Sequence, residues 1–290
     1  MVEEKVVYGI IGYPVAHSLS PLMHNAAFKA LGIPAVYKLF PVKESELDDF
    51  FRKLRDPRSP IFGLNVTVPY KEQVLRYLDN IVPLAQKIMA VNTIVINKER
   101  KLIGYNTDAP GFLSHLVELQ FNTRGKKIAI IGAGGSARAI LTILCMIPER
   151  PDSIRIYNRT ASRLEELLED LRARVDASIV EPVRSIDDLD IPGSDFLLNT
   201  TSVGMDPDDP LLVDEQLLHR NLLVYDLVYN PAETALLRMA REKGARTANG
   251  LGMLYYQGVL AFQHWANVQL DDDTKVKMRQ ALGKGVQATR

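Results

Sequence analysis

Short apolar runs punctuate the chain at the spacing of an alternating strand and helix series. Residues 6–11 lead into Gly12, and residues 36–40, 61–66 and 91–96 repeat the pattern with β-branched side chains, which predicts four buried strands. Between the first two, Ser20 before Pro21 predicts a helix start running to about Leu31, with the Ser20 hydroxyl accepting from a free backbone N–H and Pro21 in the first turn. Over residues 44–54, Leu47, Phe50, Phe51 and Leu54 fall at helical spacing on an otherwise charged segment, as in a surface helix covering a sheet. This order builds a mainly parallel α/β sheet, with functional loops at the carboxyl ends of its strands.

A second series begins at Lys126. Residues 128–131, 154–157, 196–198 and 222–227 read as strands, a helix starts at Ser136 and another covers 162–172, which is a Rossmann-type succession. Residues 253–268 are again helix-like and aromatic, and are expected to pack back on the first domain. At 290 residues the chain exceeds the usual size of one hydrophobic core. The expected fold class is therefore α/β in two domains, a mainly parallel first domain from residues 1–112 with 253–290, and a Rossmann-type second domain from 113–252.

Composition narrows the function classes. Hydrophobic residues at 47% and charged residues at 24% describe a globular chain, and 35 Lys plus Arg against 35 Asp plus Glu leave no basic field to hold a nucleic acid. The single Cys145 lies in an apolar run, so a buried, inert thiol in a reducing cytoplasm is expected. Glu3 and Glu4 open a start unlike a signal peptide, and the most apolar helix candidate, broken by Arg138 and Thr142, falls short of the ~20 residues that span a bilayer, so no membrane association is expected.

The strand ending at Ile131 runs into Gly132, Ala133, Gly134, Gly135, Ser136 and Ala137, a dinucleotide fingerprint with Ala at its last position. Gly132 permits the tight turn, Gly134 lets the backbone approach a diphosphate, and Ala137 allows close helix packing above N–H donors at the helix N-terminus. An NAD site usually places Asp or Glu about 20 residues further on. Here the next strand ends in Asn158, Arg159 and Thr160, followed by Arg163. Two guanidiniums suit a 2′-phosphate that a carboxylate would repel, so NADP(H) is the expected cofactor.

Three polar clusters accompany the strand ends of the first domain: His17, Ser18 and Ser20; Asn65, Thr67 and Lys71; and Asn92, Thr93, Asn106, Thr107 and Asp108. No metal site is expected, because His17 and His24 have no Cys partner and the wrong spacing, and structural hydrogen bonding is the expected role of both. Hydride reduction of a ketone needs a proton or positive donor at the carbonyl oxygen. Lys71 can supply either, with Asp108 holding the ammonium in place. Taken singly, Lys71 reads equally well as a first-turn residue after Pro69 and Asp108 as a helix cap before Pro110.

The ordered segments GYPVAHSLSPLMHN, NVTVPYK, AVNT, GYNTD, GAGGSARA, NRT, NTTSVGM, DLVYNP and GMLYYQG resemble the shikimate dehydrogenase family along nearly the whole chain. The resemblance implies a two-domain enzyme that reduces 3-dehydroshikimate to shikimate, with Lys71 and Asp108 as the catalytic pair and the second domain holding NADP. By the same matching, Ser18 and Ser20 bind the substrate carboxylate, Asn65, Thr67, Asn92 and Gln257 contact the ring hydroxyls, Tyr229 lines the site, and Thr201 and Gly250 belong to the cofactor side. The implied partner is the small-molecule substrate, in a monomer or homodimer. Two departures stand out: Met89 occupies a position commonly Gly before AVNT, and Ala109 with Pro110 replaces a usually glycine-containing segment. Quinate is the alternative substrate, although relatives preferring it often carry Thr at the position of Ser20 and an acidic nucleotide site. A noncatalytic NADP and small-acid sensor is the rival class, opposed by the presence of both Lys71 and Asp108.

Overall fold

The computed structural model describes residues 6–288. These divide into two compact units, residues 6–111 with Leu254–Ala288, and Phe112–Met253. The first unit opens with β1 (Val6–Gly12), α1 (Ser20–Ala30), β2 (Ala35–Pro41), α2 (Leu47–Leu54), β3 (Ile61–Val66), β4 (Asn80–Ile81), α3 (Pro83–Ile88), β5 (Thr93–Ile96), β6 (Leu102–Tyr105) and α4 (Asp108–Glu118), which continues into the second unit. Its sheet has the order β2-β1-β3-β5-β6-β4. The amphipathic α2 buries Leu47, Phe51 and Leu54 in a core with Leu64, Val66 and Ile94, each such side chain stabilising by about 1.5–3 kcal/mol.

Two local expectations are corrected. The α1 cap position falls on Leu19 with no side-chain cap bond, so Ser20 is the first helical residue, and its own N–H donates to Ser18 Oγ at 3.3 Å. More consequential is β5, which starts at Thr93 and runs antiparallel to both β3 and β6. A tight turn reverses the chain there: the Asn97 N–H donates to the Lys101 carbonyl, the Lys101 N–H returns to the Asn97 side chain, and Arg100 takes a φ of 60°. Asn92 and Thr93 therefore lie at a strand's start, not its end. Register places Thr93 opposite Asn65 on one side and Tyr105 on the other. The reversal thus brings all three of these polar segments to the same end of the sheet's strands.

The second unit contains β7 (Lys127–Ile131), α5 (Gly135–Met146), β8 (Ser153–Tyr157), α6 (Ala161–Arg172), β9 (Val180–Pro182), β10 (Phe196–Asn199), β11 (Leu223–Asp226), α7 (Ala235–Glu242) and β12 (Arg246–Asn249). All its strands are parallel, in the order β12-β11-β10-β7-β8-β9. That is the doubly wound arrangement, whose order reverses between β7 and β10, where a ligand crevice forms at the carboxyl ends. Both faces are covered: Ile128, Ile130 and Leu198 pack with α5 and α6 residues, while Ala129, Ile131 and Leu197 pack with Leu236, Leu237 and Ala240 of α7. Burial on both faces explains why these strands read as continuous apolar runs. Cys145 of α5 is buried, which pushes its thiol up to about 11.

The chain returns to the first unit through α8 (Leu251–Ala266) and ends with α9 (Asp272–Ala288), which lies along α1. Trp265 of α8 fits against Gly63, where a Cβ would meet the indole at 2.4 Å, and its Nε1 donates to the Ile94 carbonyl at 3.0 Å. Among the described residues no helix is long and apolar enough to cross a membrane.

Candidate active site

The turn after β3 presents Lys71 from a backbone held on both sides. Tyr70 N–H donates to the Thr67 carbonyl, the buried Tyr70 hydroxyl donates to Val42 at 2.7 Å, and the Lys71 carbonyl accepts from Val91 N–H at 2.7 Å. Its ammonium Nζ stands 2.7 Å from Asp108 Oδ2, with the two side chains only 13% and 6% exposed. Asp108 opens α4, yet it is not the cap: Asn106 Oδ1 accepts from Ala109 N–H at 3.1 Å, and Asn106 Nδ2 donates to the Ala90 carbonyl at 2.9 Å. With capping supplied by Asn106, the carboxylate of Asp108 is turned to Lys71 and Asn92. Burying such a pair is costly unless the remaining lone pairs are also satisfied. Here Asn92 Nδ2 meets the second carboxylate oxygen at 2.8 Å.

Asn92 is the hub of the array. Its Nδ2 also lies 3.0 Å from Thr107 Oγ1 and 3.3 Å from Gln257 Oε1, while its Oδ1 accepts from Thr107 N–H at 2.7 Å and Thr93 Oγ1 at 3.1 Å. Gln257 reaches this point because α8 crosses α4 at Gly111, where a Cβ would meet the Gln257 backbone nitrogen at 2.8 Å. Asn65 closes the other side: Nδ2 donates to the Asn92 carbonyl and to Thr93 Oγ1, and Oδ1 accepts from the Tyr37 hydroxyl at 2.7 Å. Tyr37 was not among the sequence candidates; its signal is a phenol inside an apolar strand run, which when buried needs a polar partner.

Ser18 is half-buried and Ser20 fully buried near the start of α1, joined by the Ser18 Oγ bond already described. Thr67 follows β3, its methyl against Gly12, where a Cβ would come within 2.4 Å. His24 departs from its expected role. It is fully buried, neither ring nitrogen has a hydrogen-bond partner among the described residues, and the ring instead stacks on Tyr37 at 4.4 Å. Burial drives its pKa down to about 3, and the neighbouring Asn65 side chain only partly opposes this. Met89, the first departure from the family pattern, caps α3 with a φ of 58°. That left-handed conformation is the physical reason for glycine there, and Met89 adopts it while its N–H bonds Ala85 at 2.9 Å. Pro110 sits in the first turn of α4, leaving Asp108 in place.

In the second unit the fingerprint forms the β7 to α5 turn. Gly132 has a φ of 111°, and a Cβ there would meet Thr200 Oγ1 at 2.4 Å and Thr201 Cγ2 at 2.9 Å, so glycine is required by both torsion and space. Ala133 is buried, Gly134 is the N-cap of α5 with open space before its Cα, Gly135 and Ser136 form the first turn, and Ala137 is fully buried. The carboxyl end of β8 presents Asn158, whose Nδ2 donates to the Thr160 carbonyl at 2.8 Å, with Arg159, Thr160 and Arg163 exposed at the start of α6. A glycine turn at a helix N-terminus beside exposed guanidiniums, with no carboxylate from 158 to 163, fits a phosphorylated dinucleotide. Thr201 donates to Asn199 Oδ1 at 2.7 Å, Gly250 N–H donates to the Val228 carbonyl, and Tyr229 is half-buried in the loop after β11.

Comparison with known proteins is consistent along the chain. Residues 10–94 match the Shikimate dehydrogenase substrate binding domain family. The Shikimate dehydrogenase (NADP(+)) of Caldanaerobacter subterraneus subsp. tengcongensis is 43% identical, over 92% of this chain and 94% of that protein. Among solved structures, shikimate dehydrogenase from Aquifex aeolicus aligns with a TM-score of 0.86 at 34% identity, covering 99% of both chains. Shikimate 5-dehydrogenase from Thermus thermophilus in complex with NADP(H) and shikimate aligns with a TM-score of 0.81 at 33% identity, covering 97% of this chain and 99% of the other.

Proposed function

The chain belongs to the shikimate dehydrogenase family, and on that premise we propose that it interconverts shikimate and 3-dehydroshikimate with NADP(H), residues 1–112 with 253–290 forming the substrate-binding and catalytic domain and 113–252 the cofactor domain. The observation that carries the reading is the 2.7 Å bond between Lys71 Nζ and Asp108 Oδ2 inside a polar array. Bound NADP(H) supplies the hydride exchanged at the ring carbon. Lys71 donates a proton or hydrogen bond to the carbonyl oxygen as negative charge grows there, and takes it back in the direction of oxidation. Asp108 holds the ammonium on that oxygen.

Ser18 and Ser20 donate to the substrate carboxylate. Asn92, Gln257, Thr67 and Asn65 meet the ring hydroxyls, which both donate and accept and so suit amides and hydroxyls. Asn65 already spends its amide hydrogens on Asn92 and Thr93, so it serves as an acceptor through the second lone pair of Oδ1. On the cofactor side, the turn from Gly132 to Ala137 takes the diphosphate through N–H groups beyond Gly132, whose own N–H donates to the Tyr157 carbonyl at 2.8 Å. Asn158, Arg159, Thr160 and Arg163 take the 2′-phosphate, Thr201 and Gly250 line the nicotinamide half, and Tyr229 lines the substrate side. A cytoplasmic location suits a lone buried thiol, and a monomer or homodimer is the assembly to be read by light scattering.

The test is NADPH formation from shikimate and NADP+, with quinate and NAD+ as parallel arms. Rapid turnover with shikimate and NADP+, and a kcat/KM at least about tenfold lower in each other arm, is expected. Folded protein that reduces NADP+ with neither acid contradicts the reading, and a preference for quinate reverses its substrate.

A further inference from the structure

Three neighbouring strands of the second sheet end on polar residues standing side by side. Asn199, Asp226 and Asn249 are the last residues of β10, β11 and β12, and register pairs Asn199 with Asp226 and Asp226 with Asn249. Asn199 and Asp226 are wholly buried. A carboxylate in that place is expensive without partners. Burial pushes the Asp226 carboxyl above its ordinary range while three neutral donors pull the other way. Oδ1 accepts from Asn199 Nδ2 at 2.9 Å and from Val228 N–H at 3.0 Å, and Oδ2 accepts from Thr234 Oγ1 at 2.7 Å.

These bonds reach beyond the strand ends. Asn199 Oδ1 accepts from both the N–H and the hydroxyl of Thr201, at 2.9 and 2.7 Å, and its Nδ2 also donates to the Val203 carbonyl. Thr234 in turn caps α7 by accepting from Leu237 N–H. Gly204, at a φ of 103°, packs 3.2 Å from the Thr234 methyl as measured from an added Cβ. Asn249 Nδ2 donates to the Ala232 carbonyl at 2.9 Å. One row, buried at Asn199 and Asp226 and half-buried at Asn249, therefore sets both the loop that carries Thr201 and the loop that carries Tyr229.

The direction of the cofactor follows from the strand order. Arg159 and Arg163 stand at the end of β8, on one side of the glycine turn after β7, and the loops after β10 and β11 stand on the other. A dinucleotide whose 2′-phosphate lies over β8 places its second nucleotide over β10 and β11. We infer that Asp226, held by Thr234, is a positioning residue for the nicotinamide half of NADP(H), acting through Asn199 on Thr201. The inference rests on the assignment of that half of the site to the cofactor.

Asp226→Asn keeps the shape and removes the charge that grips Asn199 and Val228. It is expected to raise the Kd for NADPH, read by fluorescence titration, and the KM for NADP+ by about tenfold, the scale of one hydrogen bond to a charged group. The KM for shikimate rises by no more than about threefold, because Tyr229 sits on a loop held also by the Asn249 bond to the Ala232 carbonyl and the other residues assigned to shikimate lie in the first unit. Thr234→Val, which strips the donor from Oδ2, gives the same split, and Thr234→Ser, which keeps the hydroxyl, restores wild-type values. Should Asp226→Asn not fold, the Thr234 pair decides alone. Unchanged NADPH affinity in folded Asp226→Asn, or in Thr234→Val if only that folds, or a lowered melting temperature with no cofactor split, overturns the inference. Wild-type protein that binds NADPH but does not oxidise shikimate sinks the functional reading instead, and the titration still judges Asp226.

Discussion

The two units solve different binding problems with different materials. In the first, the groups assigned to chemistry are buried and tied to one another: Lys71 to Asp108, Asp108 to Asn92, and Asn92 to Thr107 and Gln257. In the second, the groups assigned to the 2′-phosphate are exposed side chains at the start of α6, and the glycine turn offers backbone alone. Proton placement depends on angles and fractions of an ångström, which only an interlocked array maintains. Holding a phosphate needs charge and N–H groups, which an open turn provides at little folding cost. Damage to the first unit should therefore fall on kcat, and damage to the exposed arginines on the KM for NADP(H).

Lys71→Met gives the largest effect, with kcat down about a thousandfold, in the range for removal of a general acid, while substrate affinity measured by titration moves far less. Asp108→Asn keeps the amide-shaped contact to Asn92 but loses the charge facing Lys71, and lowers kcat about a hundredfold in steady-state assays. Across the comparison, Arg159→Ala combined with Arg163→Ala raises the KM for NADP+ by about ten- to a hundredfold at nearly constant kcat and leaves NAD+ kinetics almost unchanged. A loss of kcat at saturating NADP+ in that variant would erase the division of labour.

A smaller effect concerns the packing behind the array. His24 binds its proton at about 3 in the folded protein against an ordinary 6.5, so the unfolded chain holds more protons between those values and stability falls as pH drops below about 6.5. From about pH 7 to about pH 5 the loss from this residue is about 2 kcal/mol by denaturant unfolding. His24→Phe keeps the stack on Tyr37 and is expected to flatten that part of the slope; an unaltered slope assigns it to other groups. Smallest is Met89→Gly, which relieves a left-handed φ but loosens the unfolded chain, for a net gain below about 1 kcal/mol with kinetics unchanged.

Much of this was legible in the residues because local pattern and local chemistry coincide. The fingerprint from Gly132 to Ala137 needs only its own strand, turn and helix, and the apolar runs of β1, β3, β7 and β8 report their own burial. What escaped depends on distant partners. The direction of β5 is set by the turn at 97–101, and its apolar run reads the same in either orientation. Helix α9 is charged and contains Gly283 and Gly285, so its buried stripe of Met278, Leu282 and Val286 is faint. Strand β12 buries only Ala248 and gives no alternation to detect. That Asn106 and not Asp108 caps α4 is a choice among neighbouring polar residues which composition leaves open, and at α1 Ser20 lies inside the helix with no side-chain cap before it. The roles of Asn199 and Asp226 were hidden for the same reason, since each looks like a polar strand end until the register pairs them.

The central claim is that Lys71 and Asp108 act as one catalytic unit, and the kcat of the double variant Lys71→Met with Asp108→Asn tests it most directly. With the ammonium gone its anchor has nothing left to hold, so the double variant should turn over within about threefold of Lys71→Met alone. Rates that fall by the product of the two single effects would contradict the account and make the two residues independent contributors.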